Sequence, residues 1–208
     1  VTDRLRANLE RENRLPVLKL AVLFHDAGKP ESRSVAPETG RVTFYGHDTA
    51  GSRIAEGIAD RLKFSVRDQE LFGGLIADHM HTIGLSGPDV RPGTILRWFR
   101  RLGEDMVLLL LLGMADVMAT AGPASSEVER AHQLRWCRET IRRYYTEIKD
   151  RLARKPLIGG RDLMAIGIPP GPGMGEILDA VRASQDEGVV QNRDEALALA
   201  AELTRRRG

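Results

Sequence analysis

Apolar residues recur along almost the whole chain at steps of three and four, the mark of helices with a buried face, and Gly and Pro punctuate them. No stretch reads as a regular strand. The pattern predicts a first core helix over 15–27, behind a charged approach segment at 1–14. Leu20, Ala21, Val22, Leu23 and Phe24 make that helix apolar all round, which implies burial on every side. Gly28 is expected to end it with a positive φ, and Pro30 to keep it from resuming. A loop follows over 31–45, its last residues suited to a short extended piece. Gly46-His47-Asp48 opens a second helix, with Ala50, Ile54, Ile58, Ala59 and Leu62 on one face. Ser65 caps a third, whose stripe is Leu71, Phe72, Leu75 and Ile76.

Pro92 suits the first turn of the next helix, where Arg91, Arg97, Arg100 and Arg101 alternate with Ile95, Trp98 and Phe99. Such a mixture can bind RNA, but a solvated basic face is the commoner outcome. The stretch 104–120 is the most apolar helix. The stretch 125–154 reads as one long helix with the seam Val128, Ala131, Leu134, Cys137, Ile141, Tyr144 or Tyr145, Ile148 and Leu152. Beyond Pro156 the composition turns to Gly and Pro, with a helix over about 174–187 and a last one capped by Asn192 and Glu195. The glycines of these turns are expected to serve tight packing between helices rather than phosphate capture by free first-turn amides. The whole is an all-α chain: a helical domain over 1–155 and a small helical subdomain over 156–208.

Two ionisable signals break the apolar pattern. His25-Asp26 ends the first apolar helix, and Asp116 interrupts the most apolar one. A carboxylate in such a place needs a partner, because an unpaired buried charge is costly. The plain alternatives are a helix end meeting solvent for His25-Asp26, and an arginine or hydrogen bonds for Asp116. A divalent ion suits imidazole and carboxylate together and answers both signals at once. His79 follows Phe72, Leu75 and Ile76 by seven, four and three residues, so it projects from the buried face. A single histidine there is more often a hydrogen-bonded core residue than a ligand. His81 points elsewhere, towards solvent or a substrate, and His132 belongs to the surface. Asp48 is read as serving the amides of its helix's first turn.

Composition narrows the setting. With 42% hydrophobic and 29% charged residues, the chain can bury a core and stay soluble. A net charge of +2 permits a phosphate-bearing partner without requiring one. The single cysteine, Cys137, excludes an internal disulfide and fits a reducing, cytoplasmic setting. No secretory signal is visible, and the apolar run at 106–115 is too short for a bilayer, which takes about 20 residues. The first residue is Val1 rather than Met, so a longer parent chain is expected.

His25-Asp26, His47, His79 and Asp116, spread over four predicted helices, resemble the HD superfamily of metal-dependent phosphohydrolases. The resemblance implies that His25, Asp26 and Asp116 bind one divalent ion. It implies that His47 and His79 bind a second ion or the substrate phosphate, and that Lys29 meets a phosphate oxygen. A closer resemblance covers nearly the whole chain. The stretch 18–30, Phe44-Tyr45-Gly46-His47, Arg61-Leu62-Lys63-Phe64-Ser65 and Leu112-Gly113-Met114-Ala115-Asp116 are similar to the HD region of bacterial tRNA nucleotidyltransferases and related poly(A) polymerases. So is the tail, from Pro156-Leu157-Ile158-Gly159-Gly160-Arg161-Asp162 through Gly167-Ile168-Pro169-Pro170 to Gly175-Glu176-Ile177-Leu178. Those enzymes carry such a tail in their tRNA-contacting half. Two departures stand out: residues 1–24 hold no histidine to match the family's leading ligand, and the chain has no Asp-x-Asp for nucleotidyl transfer.

The expectation is therefore a phosphohydrolase acting on nucleotides, cyclic phosphates or RNA 3′ ends. Asp26 and Lys29 are its catalytic groups, and Mn, Ni, Co, Fe, Zn or Mg is its ion. The chain by itself is not expected to add nucleotides. An N-terminal nucleotidyltransferase domain would belong to the longer parent. The competing reading is a non-catalytic tRNA-binding scaffold, whose affinity falls steeply with salt.

Overall fold

The computed structural model describes residues 1–120 and 126–206. In chain order its helices are α1 (Thr2–Glu10), α2 (Arg14–Phe24), α3 (Lys29–Ser32), α4 (His47–Arg61), α5 (Val66–Asp78) and α6 (His81–Leu85). Then come α7 (Pro92–Leu102), α8 (Asp105–Ala119), α9 (Glu127–Arg143) and a π-helical turn (Tyr144–Ile148). The chain closes with α10 (Lys149–Ala153), α11 (Gly160–Ala165), α12 (Pro172–Glu187) and α13 (Arg193–Arg205). Two short strands, β1 (Ser34–Val35) and β2 (Val42–Thr43), pair antiparallel in the loop between α3 and α4, with Ser34 opposite Thr43. The fold is all-α, and no described helix is long and apolar enough to cross a membrane.

The chain divides into two compact units. The first comprises Val1–Asp89 and Leu102–Tyr145, the second Val90–Arg101 and Thr146–Gly208. At the centre of the first lies α8, where Met106 to Leu110 are all fully buried. Around it pack α2, α5, α6 and α9. On α4 the most buried positions are small: Gly51, Ala55 and Ala59, four residues apart, form a narrow stripe that brings α5 close. Its larger residues Ile54 and Ile58 are only half-buried, and Leu62 is exposed. Ser65 accepts the Asp68 amide at 3.2 Å and so starts α5.

Several expectations need correction. α2 is not buried on all sides: Val17, Leu18 and Ala21 are inside, while Leu23 is 71% exposed. Its helical neighbours α1, α5 and α8 bury that face, and a single stripe meets the need. Gly28 has φ −80°, so positive φ is not its role, and Pro30 sits in the first turn of α3 instead of preventing a helix. The buried face of α9 runs through Gln133, Cys137, Thr140 and Ile141 and on to Tyr144, Tyr145 and Ile148, leaving Val128 77% exposed. Gln133 is held inside by Ser86 and by the Thr82 carbonyl, partners that a hydrophobic seam count does not see.

In the second unit Ile158, Leu163, Ile168, Ile177, Val181, Val190, Ala196 and Ala200 form a separate core. Buried Asp186 receives Arg100 through Nε at 2.9 Å and Nη2 at 2.6 Å, so part of the basic face of α7 is spent on an ion pair. Asn192 accepts the Glu195 amide at 3.0 Å while Glu195 takes the Gln191 amide at 2.7 Å. Gly159, Gly171 and Gly175 do not serve tight packing, since a Cβ there would meet nothing within 4 Å; one at Gly160 would touch Met174 Sδ at 3.4 Å, and Gly167 is required by its φ of +87°.

Candidate metal centre

Helix ends build this site. The last turn of a helix leaves carbonyls without intrahelical partners, and at two such ends a histidine takes one up. His25, just past α2, donates Nδ1–H to the Val22 carbonyl at 2.9 Å. His79, just past α5, does the same to Ile76 at 2.6 Å. His47, first residue of α4, donates to Phe44 in the preceding loop at 2.7 Å. A carbonyl can only accept, so Nδ1 carries the proton in each ring. In its neutral form each ring therefore presents a bare Nε2 lone pair, the state in which imidazole binds metals.

Those Nε2 atoms surround Asp26. His25 Nε2 lies 3.3 Å from Asp26 Oδ2 and 3.4 Å from Asp116 Oδ1. His47 Nε2 lies 3.5 Å from Asp26 Oδ1, and His79 Nε2 is 4.0 Å from the same oxygen. His47 and His79 bring their Nε2 atoms within 3.1 Å of each other. Two lone pairs at that distance repel unless a proton or a cation stands between them. Asp26, His47 and His79 offer ligand atoms that all lie within 4.8 Å of one another. Ligand atoms on one ion with bonds of about 2.0–2.2 Å stand at most about 4.4 Å apart; the separations of 3.1, 3.5 and 4.0 Å fall inside that limit. His25 Nε2 is buried and has no directed hydrogen-bond partner despite its two carboxylate neighbours. The donor set and this orphaned nitrogen both fit a divalent cation.

The same carboxylates compete for a proton on His25. Asp116 first, and Asp26 second, favour the imidazolium of His25 and push its pKa up to about 10. Asp26 lies well below the usual carboxylate range: burial alone would raise it, but His25 and Lys29 together outweigh that. His25 likewise lowers Asp116. Burial depresses His79. Lys29 Nζ rests 2.6 Å from Asp26 Oδ2 and 5.7 Å from the centre of the Phe44 ring. Asp116 is not sealed in the core as its helix suggests. Its side chain is 29% exposed, because the last turns of α8 emerge towards the cavity.

Close backbone approach holds the parts together. A Cβ at Gly28 would stand 2.1 Å from the His47 carbonyl oxygen and 2.5 Å from the Gly51 amide. Only glycine lets the 25–28 turn lie on α4. A Cβ at Gly113 would stand 2.6 Å from Thr82 Oγ1, so α8 meets α6 by the same device.

The site opens into a cavity of about 530 Å³. Its lining includes Asp26, Lys29, His47, His79 and Asp116, and also Arg41, Tyr45, Met80, Ile83 and Thr120, which residue-type reasoning did not single out. Thr120 was findable as the first polar residue after Asp116; its hydroxyl lies 3.2 Å from Asp116 Oδ1. His81 stays outside the cluster, half-exposed and 3.6 Å from Asp78. Asp48 reaches the cavity rim, and its Oδ1 accepts the Thr49 amide at 2.8 Å. His132 is exposed and donates Nε2–H to the Ser86 carbonyl at 3.0 Å.

Comparison with known families finds the HD domain over residues 3–117 and tRNA nucleotidyltransferase domain 2 over 124–201. The chain is 37% identical over 182 residues to a CC-adding tRNA nucleotidyltransferase of Thermus thermophilus, covering 87% of this chain and 38% of that protein. It is 34% identical over 186 residues to an A-adding tRNA nucleotidyltransferase of Deinococcus radiodurans, covering 88% of this chain and 41% of the relative. A CC-adding tRNA nucleotidyltransferase of Synechocystis is 29% identical over 157 residues. The chain thus spans about two fifths of the length of the first two relatives.

Proposed function

Since the chain belongs to the HD domain family and is related to tRNA nucleotidyltransferases, we propose that its first unit is a metal-dependent phosphoester hydrolase. Fold membership alone does not carry activity. What supports the reading is one observation: three imidazoles with their Nδ1–H groups tied to backbone turn their Nε2 atoms on Asp26 at the floor of an open cavity.

Asp26, His47 and His79 would hold one divalent ion, with His25 and Asp116 beside it as further ligands or as the group that fixes Asp26. When bound, such an ion supplies a water of lowered pKa and offsets charge on phosphoryl oxygens. The chain's own residues do the rest. The Nδ1 hydrogen bonds fix ring orientation. His25 Nε2, 3.3 Å from Asp26 and 3.4 Å from Asp116, can carry a proton between the two carboxylates. Lys29 is half-exposed on a flexible stem, so its ammonium can leave Asp26 Oδ2 for a phosphate oxygen. In the hydrolysis proposed, a water oxygen bonds to phosphorus, the ester P–O bond breaks, and the departing oxygen takes a proton.

Residues 124–201, which take in α9 and most of the second unit and match the tRNA nucleotidyltransferase domain, are the part we assign to tRNA contact. The test is direct. The purified chain is titrated with Mn or Ni and assayed on bis(p-nitrophenyl) phosphate, with bound metal measured in parallel. Asp26→Ala should remove both metal and turnover. Absence of any metal-dependent turnover in the wild-type chain, or full turnover in Asp26→Ala, overturns the proposal.

A further inference from the structure

A line of buried polar residues runs from α9 to the cluster. His79, Thr82, Ser86 and Gln133 are all buried, and a polar group so placed is costly unless it is bonded. Here they bond one another. Thr82 Oγ1 donates to the His79 carbonyl at 3.0 Å. Gln133 Nε2 donates to the Thr82 carbonyl at 2.9 Å, and Gln133 Oε1 accepts the Ser86 hydroxyl. The neighbouring His132 donates Nε2–H to the Ser86 carbonyl at 3.0 Å. Two adjacent residues of α9 thus hold both the start of α6 and the residue just past its end. α6 has only five residues. A helix that short has no stability of its own, so its place is set by what holds it. It rests on α8 at Gly113, where there is no room for a side chain beside Thr82, and it is tied to α9 by these bonds.

His79 lies between the end of α5 and the start of α6, so a displaced α6 would carry it along. Its Nε2 stands 3.1 Å from His47 Nε2 and 4.0 Å from Asp26 Oδ1, separations that tolerate little movement. Gln133 touches neither. It also lies beyond residue 117, where the HD domain match ends, and inside the 124–201 match to tRNA nucleotidyltransferase domain 2. The first compact unit nevertheless runs on to Tyr145 and includes it. We infer that Gln133 is a positioning residue of the metal centre: from α9, through Thr82 and Ser86, it sets where the His79 imidazole stands against His47 and Asp26. This rests on the metal reading for its effect on ion affinity, though not for its effect on the rings. A glutamine that served stability alone would leave the cluster as it is when replaced.

The test uses Gln133→Met, which keeps an unbranched side chain and removes both bonds. Calorimetric titration of the full chain with Mn should show Kd raised about 10- to 100-fold, the loss that follows when a ligand's outer support is removed. In the metal-free chain the nuclear Overhauser contact between the Hε1 protons of His47 and His79, present in wild type, should be lost. Cys137→Ala, one turn further along the same buried face, controls for stability: it should lower the urea midpoint and leave both readings unchanged. Thr82→Val keeps the side chain's shape without its hydroxyl. It should raise the Mn Kd as Gln133→Met does, and the double variant should bind Mn no worse than the weaker single variant, because both act through one chain of bonds. Should Gln133→Met not fold, Thr82→Val decides on the same two readings. An unchanged Mn Kd, a retained ring contact, or an equal loss of Mn affinity in Cys137→Ala overturns the inference while leaving the metal reading standing. If the wild-type chain binds no Mn, the metal reading fails and the ring contact alone decides. Its retention in Gln133→Met then overturns the inference, and its loss there but not in Cys137→Ala upholds it.

Discussion

Gly28→Ala is the substitution whose cost can be worked most directly from the structure. The added methyl carbon would fall 2.1 Å from the His47 carbonyl oxygen, 2.5 Å from the Gly51 amide and 3.0 Å from Ala50 Cβ. Two of these obstacles are backbone atoms, which cannot rotate aside. Ordinary contact begins near 3.4 Å, so the 25–28 turn must draw back from α4 by about 1 Å. Overpacking of this kind costs about 1–3 kcal/mol. The same movement carries Asp26 away from His79, whose 4.0 Å separation leaves little slack for a shared ion. Mn affinity should therefore fall about 10- to 100-fold, as when a ligand's support is lost. Urea unfolding reads the first effect. Trp98→Phe leaves Trp136, on α9 in the first unit, as sole reporter, and the midpoint should fall by about 1 M or somewhat less. Gly57→Ala, on the exposed side of α4 with nothing within 4 Å of its Cβ, should be neutral or stabilise by up to about 1 kcal/mol. Should Gly28→Ala unfold within about 0.5 kcal/mol of the parent and keep its Mn affinity, the close approach does not hold the site together.

Two further outcomes concern charges away from the cavity. Arg14 is almost wholly buried, with Nη1 2.6 Å from Asp105 and with Nε and Nη2 unpartnered. Asp105→Ala should destabilise by about 1–3 kcal/mol, less than a fully buried pair because Asp105 is 41% exposed; Arg14→Met should cost less, and the reverse order in urea unfolding would refute this. In the second unit Arg193, and then the Gly159 amide, lower the pKa of Asp162. Its stabilisation is thus present above the unfolded value near 3.9 and is lost as pH falls through the lower folded value. Acid unfolding of this unit should show a component that Asp162→Asn abolishes, followed through Trp98 fluorescence; identical acid profiles would contradict the assignment.

Helices were legible because burial repeats every three to four residues, and the caps at Ser65 and Asn192 were legible because they depend on local chemistry. Burial of single positions was less so. Leu23 and Val128 carry apolar side chains at helical spacing, yet what covers a face is decided by neighbours distant in sequence. Gly28 shows the limit clearly. Its position after a helix invites a conformational reading, while its function depends on α4, some twenty residues further on. The ionisable residues at the site were visible as residue types in apolar surroundings. The cavity walls were not, because Tyr45, Met80 and Ile83 have no local signature that separates a rim from a core.

The placement of the histidines follows from a physical preference that sequence patterns do not state. An imidazole used as a ligand must have one nitrogen bare and the other fixed, and fixing it takes an acceptor that cannot compete for the cation. A backbone carbonyl three residues back meets that need, but within a helix the carbonyl is already committed to the ladder. In this site the carbonyls that serve lie at a helix end or in the loop before one. His25 and His79 stand just beyond C-termini, and His47 starts a helix whose preceding carbonyl, that of Phe44, also accepts the His47 amide at 3.2 Å. The geometry therefore constrains the helix boundaries as well as the residue types. Moving His79 one turn back into α5 would keep an imidazole on the buried face yet remove its fixed tautomer. A relocated histidine of that kind should pack without binding metal, whereas His79→Asn keeps the helix boundary and should lose only the ligand.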